Sequence, residues 1–327
     1  MVYDAQITAI DGALLSIVAD LDARIASGVG TDQHLAARIS DLTGELSNLR
    51  FDLTTLAARV AALEPVTPPP ATVPARLLTV AEFAARGVLT DAAALVAIQS
   101  TADRRPENVT ANSTFPTDAQ LAAYRAGDIW QGGLSAAHAA EWKRRQLLVT
   151  GRPGRALSTD EIIQWVAHKW GLDADMLRAQ VCQESWWRQS TAGDYRADAT
   201  KAPPGAATRV LFGATQYAMS YGAGQLKYPF HAGAAWPAAR DCTAFNLDHL
   251  GCILRNTFDG LLSWMAAKPS PPAGWPLYTD VGGDPATRMW LTMGAHYSGG
   301  WGDAGALGYI TQVKRWHSER PWTRADF

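Results

Sequence analysis

The sequence predicts a mainly α protein in three parts: an oligomeric coiled coil, a small helical adaptor and a C-terminal α domain. Three observations predict it. Apolar residues repeat at heptad spacing through the first sixty or so positions, a proline-rich run follows, and helices with well-formed caps recur beyond it.

The heptads are the clearest feature. Leu35, Ile39, Leu42, Leu46, Leu49, Leu53, Leu56, Val60 and Leu63 alternate steps of four and three, with leucine at each d position, which predicts a left-handed coiled coil. Ile7, Ile10, Leu14, Ile17 and Leu21 repeat the spacing, but Ile25 and "SGVGTD" interrupt the register. A parallel oligomer bent at Gly28 and Gly30 fits this pattern, and so does a helical hairpin turning there. The second helix is much the longer, which favours the oligomer, and the use made of such stalks points to a trimer. Residues 1–64 are therefore the stalk. "PVTPPPATVPA" (65–75) is a stiff, polyproline-like linker.

Residues 76–150 read as short helices between polar turns: an adaptor, or an N-terminal extension of the last domain. "TVAEFAARGVL" and "TDAAALVAIQS" are helical in pattern, and Thr117 or Asp118 caps a helix in "TFPTDAQLAAYRAG". Residues 151–327 form the C-terminal domain. There Ser158 and Glu161 make a capping box for a helix with Ile162, Trp165, Val166 and Trp170 on one face. Gly171 stops that helix and Asp173 caps the next. In the latter, Leu177, Val181 and Glu184 fall at i, i+4 and i+7, so Glu184 continues an apolar stripe at the helix's end.

Composition excludes several classes. A net charge of −2 over 327 residues leaves no basic stripe for nucleic acid, and no apolar run is long enough to span a bilayer. "MVYDAQITAIDG" has neither a basic stretch nor a cleavage site, so no secretory signal is expected. The three cysteines, Cys182, Cys242 and Cys252, lack metal spacing and read as buried free thiols, although Cys242 and Cys252 would be a possible pair outside a cell. No metal or cofactor is expected. All 13 tryptophans lie between Trp130 and Trp322, a weak pointer to sugar binding, since tryptophan also builds cores.

Three stretches carry chemistry. A carboxyl at the edge of an apolar stripe, as in "QVCQESWWRQ", is one whose acidity burial weakens, which a general acid needs; the competing reading pairs an exposed Glu184 with Arg188 at i+4. In "SYGAGQLKY", Gly222 and Gly224 allow close backbone approach and Gln225 offers donors and an acceptor. In "DPATRMWLTMGAHYSGGWG", Asp284 and Pro285 start a helix that Gly299 and Gly300 end. Tyr297 shares its face with Trp290 and Gly294, and Gly294 leaves room for another backbone or a substrate. His296, next to Tyr297, reads as structural and facing elsewhere.

In order, these pieces resemble the lysozyme-like superfamily, in particular soluble lytic transglycosylases and goose-type lysozymes. The family's Glu-Ser, Ser-x-Gly-Leu-Met-Gln and Ala-x-Tyr-Asn-x-Gly patterns correspond to Glu184-Ser185, Ser220 to Gln225, and Ala295 to Gly300; Asn246 stands in the place of the family's helical asparagine. The match covers about 158–320. It departs where Leu-Met becomes Ala223-Gly224 and Asn becomes Ser298, and where Glu184 and Gln225 lie 225 − 184 = 41 positions apart. The insert, with "ATKAPPGAATRVLFGATQYA", is a lid or an extra subsite wall. The resemblance implies Glu184 and Tyr297 as catalytic, with Glu184 the acid that cleaves the β-1,4 bond between N-acetylmuramic acid and N-acetylglucosamine. It implies Ser220, Tyr221, Gly222 and Gln225 as substrate-binding positions. Trp187 and Trp301 are the candidate sugar platforms, with Trp186 packed inside.

Asp194 and Asp198 are the candidate second carboxylates for hydrolysis, against the default of surface aspartates in a polar segment. Without such a base the muramic acid's own 6-hydroxyl attacks, the transglycosylase outcome. The implied partners are peptidoglycan glycan strands, the chain itself through its coiled coil, and other virion tail proteins. The expected place is a phage virion, acting outside the host at the bacterial wall. The alternative is a non-catalytic wall-binding or structural virion protein on the same scaffold.

Overall fold

The computed structural model describes residues 89–126, 135–146, 157–211, 213–232, 236–266, 268 and 271–327. The coiled coil, its oligomeric state and the proline-rich linker lie outside the described residues, as does the helix expected over "TVAEFAARGV". What is described is mostly helical, 56 % helix against 7 % strand.

The helices, in chain order, are α1 Asp91–Ala97, α2 Val109–Ser113, α3 Asp118–Ala126, α4 Ala136–Gln146, α5 Thr159–Trp170, α6 Ala174–Ser185, α7 Ala238–Asp241, α8 Thr243–Phe258, α9 Ser263–Ala266, α10 Pro285–Ser298 and α11 Ala304–Glu319. Helix α8 is central. It is buried on nearly every face, its buried charges paired, Asp248 with Lys169 and Arg255 with Asp259, and packs against α5, α10, α7, α4 and α2. Helices α10 and α11 pack side by side, and α11 also packs along α6. A Cβ at Gly294 would lie 2.9 Å from the Ala306 carbonyl, so the neighbour admitted by this glycine is the α11 backbone.

The helix boundaries follow local chemistry. Ser158 Oγ accepts from the Glu161 amide at 3.2 Å while the Glu161 carboxylate accepts from the Ser158 amide at 2.8 Å. Gly171 and Gly299 end α5 and α10 in the left-handed region, at φ 63° and 68°. Asp173 and Asp284 accept from the Met176 and Thr287 amides at 2.8 and 2.9 Å.

Among the described residues, strand content is confined to the segment between α6 and α7. Strands β1 Ala192–Gly193, β4 Ser220–Tyr221 and β5 Leu226–Lys227 form a small antiparallel sheet in the order β1-β4-β5. The insert folds as a separate hairpin of β2 Thr208–Leu211 and β3 Ala214–Tyr217, with Val210 exposed.

The described part of 76–150 is an extension of the C-terminal domain and shares its core. The Leu89 amide donates to the Lys169 carbonyl at 3.0 Å, and the Tyr124 hydroxyl lies 2.6 Å from His249 Nδ1. Lys169 is sealed among charges: its Nζ is 3.0 Å from Asp91 and 2.9 Å from Asp248, while Trp170 Nε1 donates to Asp248 at 2.7 Å. Cys182, Cys242 and Cys252 are buried thiols that form no disulfide with one another.

Candidate functional site

Helix α6 delivers Glu184 to the rim of the core one residue before the helix stops. Trp186 and Trp187 both adopt left-handed backbone, φ 52° and 62°, a conformation costly for bulky residues and maintained only where surroundings over-determine it. Here the extension does so. Arg105 Nε donates to the Trp186 carbonyl at 2.6 Å, and Asn108 Nδ2 donates to the Trp187 carbonyl at 2.6 Å. Trp187 Nε1 then donates back to the Arg178 carbonyl at 2.9 Å.

That early stop removes the Glu184–Arg188 pair. Arg188 leaves the helical row and lies 3.7 Å from Glu107 instead. The Glu184 side chain is 12 % exposed, and burial weakens its acidity to about 7, against a lowering effect from one hydrogen bond. The donor of that bond to Oε1 is the hydroxyl of Tyr309, on α11. Burial and the adjacent carboxyl together push the Tyr309 phenol upward, so it stays a donor. His296 Nε2 stands 4.0 Å from the same oxygen. The spacing suits an ion pair, but burial lowers the imidazole to about 4, so it is neutral at neutral pH.

Beside Glu184 the turn over 221–225 is tied down by side chains. Ser185 Oγ donates to the Ala223 carbonyl at 2.8 Å, Gln189 Oε1 accepts from the Ala223 amide at 3.0 Å, and Asn246 Oδ1 accepts from the Gly224 amide at 2.7 Å. Gly222 has φ 80°, and a Cβ there would lie 2.2 Å from Asn246 Nδ2, so the turn requires glycine. The downstream glycine block and the Glu-Ser pair thus meet in space, through Ser185 rather than through a ligand.

Several expected roles need correction. Tyr297, which the resemblance makes a hydrogen-bond partner of Glu184 or of the substrate, does not bond Glu184: it is 61 % exposed and stacks on Tyr309 at 4.8 Å, one layer out from the carboxyl. Trp187 is not a platform, because the helix ends before it and turns it inward. It is 1 % exposed and stacks on Trp322, whereas Trp186 is the exposed one, at 38 %, against Trp316 at 4.9 Å. Trp301 is also core: its Nε1 donates to the Pro276 carbonyl at 2.8 Å and its face lies 5.0 Å from the Arg288 guanidinium. His296 is not turned away from the site, since α10 aims it at Glu184 while Tyr297 points out.

Ser220 and Tyr221 are buried in β4. The Tyr221 hydroxyl donates to the Ala218 carbonyl at 3.1 Å and accepts from the Ala207 amide at 3.0 Å. Gln225 Nε2 donates to the carbonyls of Gly222 and Thr191 at 2.9 and 3.2 Å. Asp194 places one oxygen 2.6 Å from Arg196 and the other against Lys227. Asp198 is exposed and bonds Thr200, which holds its carboxyl below the usual range.

Tyr309, His296 and Trp316 are the residues that sequence reasoning did not select. One signal was present: Tyr309, Val313 and Trp316 fall at i, i+4 and i+7 of α11, and Trp316 Nε1 donates to Gln183 at 2.7 Å. Among the described residues no group of three or more His, Cys, Asp or Glu is arranged to hold a metal ion, and no helix is long and apolar enough to cross a membrane. Set against protein-family models, curated proteins and solved structures, the chain finds no match.

Proposed function

We propose that the C-terminal domain is a lysozyme-like muralytic enzyme of the lytic transglycosylase type, with Glu184 as its general acid and base. One observation carries the reading. Glu184 is a nearly buried carboxyl, still open at its edge, that holds its proton to about pH 7, the match between acidity and working pH that general acid catalysis favours. The order of the Glu-Ser, glycine-glutamine and tyrosine-glycine stretches supports the same reading.

In this mechanism Glu184 gives its proton to the oxygen linking N-acetylmuramic acid to N-acetylglucosamine as the C1–O bond breaks. The resulting carboxylate takes the proton of the muramic acid's 6-hydroxyl while O6 bonds to C1. The product is a 1,6-anhydro sugar, no water is consumed, and Glu184 ends protonated. The Tyr309 hydroxyl keeps the carboxyl oriented through both transfers. The engagement of both Asp194 oxygens by cations favours this route over one using that residue as a hydrolytic base. The heptads of residues 35–63 support delivery on a virion stalk that acts at the bacterial wall.

A second reading, a non-catalytic wall-binding or structural virion protein, draws on Gln225, whose amide is engaged by backbone carbonyls. Peptidoglycan digestion separates the two. The wild-type chain is expected to release muropeptides with 1,6-anhydro ends by mass spectrometry, and Glu184→Gln to release at least about a hundredfold fewer. Equal behaviour of the two chains removes the enzyme reading, and ends without the anhydro bridge would make it a hydrolase.

A further inference from the structure

Behind Glu184 a column of polar side chains runs into the buried interior. His296 of α10 comes first, 4.0 Å from the carboxyl with its own side chain 7 % exposed, and its imidazole also hydrogen-bonds the Gly224 backbone. His249 of α8 comes next, fully buried and near enough to His296 that each charge would disfavour the other. Its Nδ1 is 2.6 Å from the hydroxyl of Tyr124, itself fully buried on α3. Apolar side chains would fill this space without the cost of burying polar atoms, so a structural role alone accounts poorly for the column.

We propose that His296 is a positioning residue for Glu184, holding the carboxyl and the Gly224 turn in one geometry, with His249 and Tyr124 bracing it from behind. The proposal rests on the reading of Glu184 as the acid. At 4.0 Å the two groups are beyond hydrogen-bond reach, and a small approach by either side chain brings them within it. A neutral imidazole suits the task, because a fixed positive charge there would strip the acid of its proton. The other titratable groups that meet the pair are Tyr309 from α11, Tyr297 stacked on it, and His249 from α8. The nearest cations along the chain, Arg178 and Arg188, are engaged by Asp160 and Asp175 and by Glu107 respectively.

Titration of the Glu184 carboxyl by 13C NMR, in the full chain carrying labelled glutamate, tests this. In His296→Phe the carboxyl keeps Tyr309 but gains apolar surface, so its midpoint is expected to rise by about half a pH unit or more. Tyr124→Phe is expected to move it less in the same direction, with the near-UV circular dichroism of both variants unchanged. His296→Gln, which restores a donor, is expected to fall between wild type and His296→Phe, and it answers the question if the phenylalanine variant does not fold. A folded His296→Phe or His296→Gln chain with the wild-type midpoint overturns the proposal. Because the titration needs no substrate, a moved midpoint in a chain that releases no muropeptides would count against the enzyme reading and not against the role of His296.

Discussion

Glu184 and Asp248 are both buried carboxyls whose acidity burial has weakened to about 7, yet their surroundings differ in kind. Asp248 is sealed, 0 % exposed, with Lys169 at 2.9 Å and the Trp170 indole at 2.7 Å. Lys169 also serves Asp91, so one cation faces two carboxylates and Asp248 retains a proton to higher pH than a surface aspartate would. Glu184 has one phenol as donor, an imidazole just out of reach, and an open edge. A shifted acidity therefore marks burial; only an opening toward solvent makes the proton transferable.

The largest expected effect concerns the open carboxyl. Glu184→Gln should lower muropeptide release by about 10²- to 10⁴-fold, the share general acid–base catalysis supplies, while leaving the fold intact by circular dichroism. A variant with wild-type rates would end the distinction between the two carboxyls.

The sealed cluster predicts a different outcome. Lys169→Met leaves Asp91 and Asp248 buried without their cation, and urea denaturation at neutral pH should show a loss of about 3–5 kcal/mol. The folded fraction should keep its activity. Loss of activity beyond loss of fold would show that the cluster reaches the site.

The pH dependence of stability sharpens the contrast further. Glu184 binds its proton more tightly in the folded chain, at about 7, than at the ordinary value of 4.5 expected unfolded. Its favourable contribution is thus complete below about pH 4.5 and lost as pH rises through about 7. By pH 8 the ionised form costs about 3 kcal/mol relative to a neutral side chain. Glu184→Gln should therefore be more stable than wild type in urea at pH 8 and indistinguishable from it near pH 4.

The smallest effect belongs to Tyr309→Phe. Loss of the hydrogen bond should cost about 1 kcal/mol. Since that bond favours the carboxylate, the alkaline limb of the activity profile should move to higher pH.

The helix ends were readable in the chain because capping is local: Ser158 with Glu161, Asp173, Asp284 and Gly299 act within a few residues of the ends they set. Glu184 was readable for a related reason, since a stripe at 3.6-residue spacing carries it to the rim of the core. The two tryptophans were not. Their exposure depends on a left-handed exit from α6 that Arg105 and Asn108 impose from about eighty positions upstream. A straight continuation of the helix puts Trp187 outward and Trp186 inward; the actual exit reverses them. Trp301 misled for another reason, because the partners that bury it, Pro276, Tyr278 and Arg288, come from the preceding loop and from α10.

By itself, the sequence determined a mostly helical C-terminal region, several of its helix ends, and that a glutamate would arrive at a core edge. The tertiary structure decided which groups meet that glutamate. Tyr297, in the recognisable block, faces solvent, and Tyr309, 125 positions from Glu184, makes the bond. The physical reason is that the close seating of α10 on α11 at Gly294, and of α11 along α6, chooses among tyrosines that local periodicity treats alike.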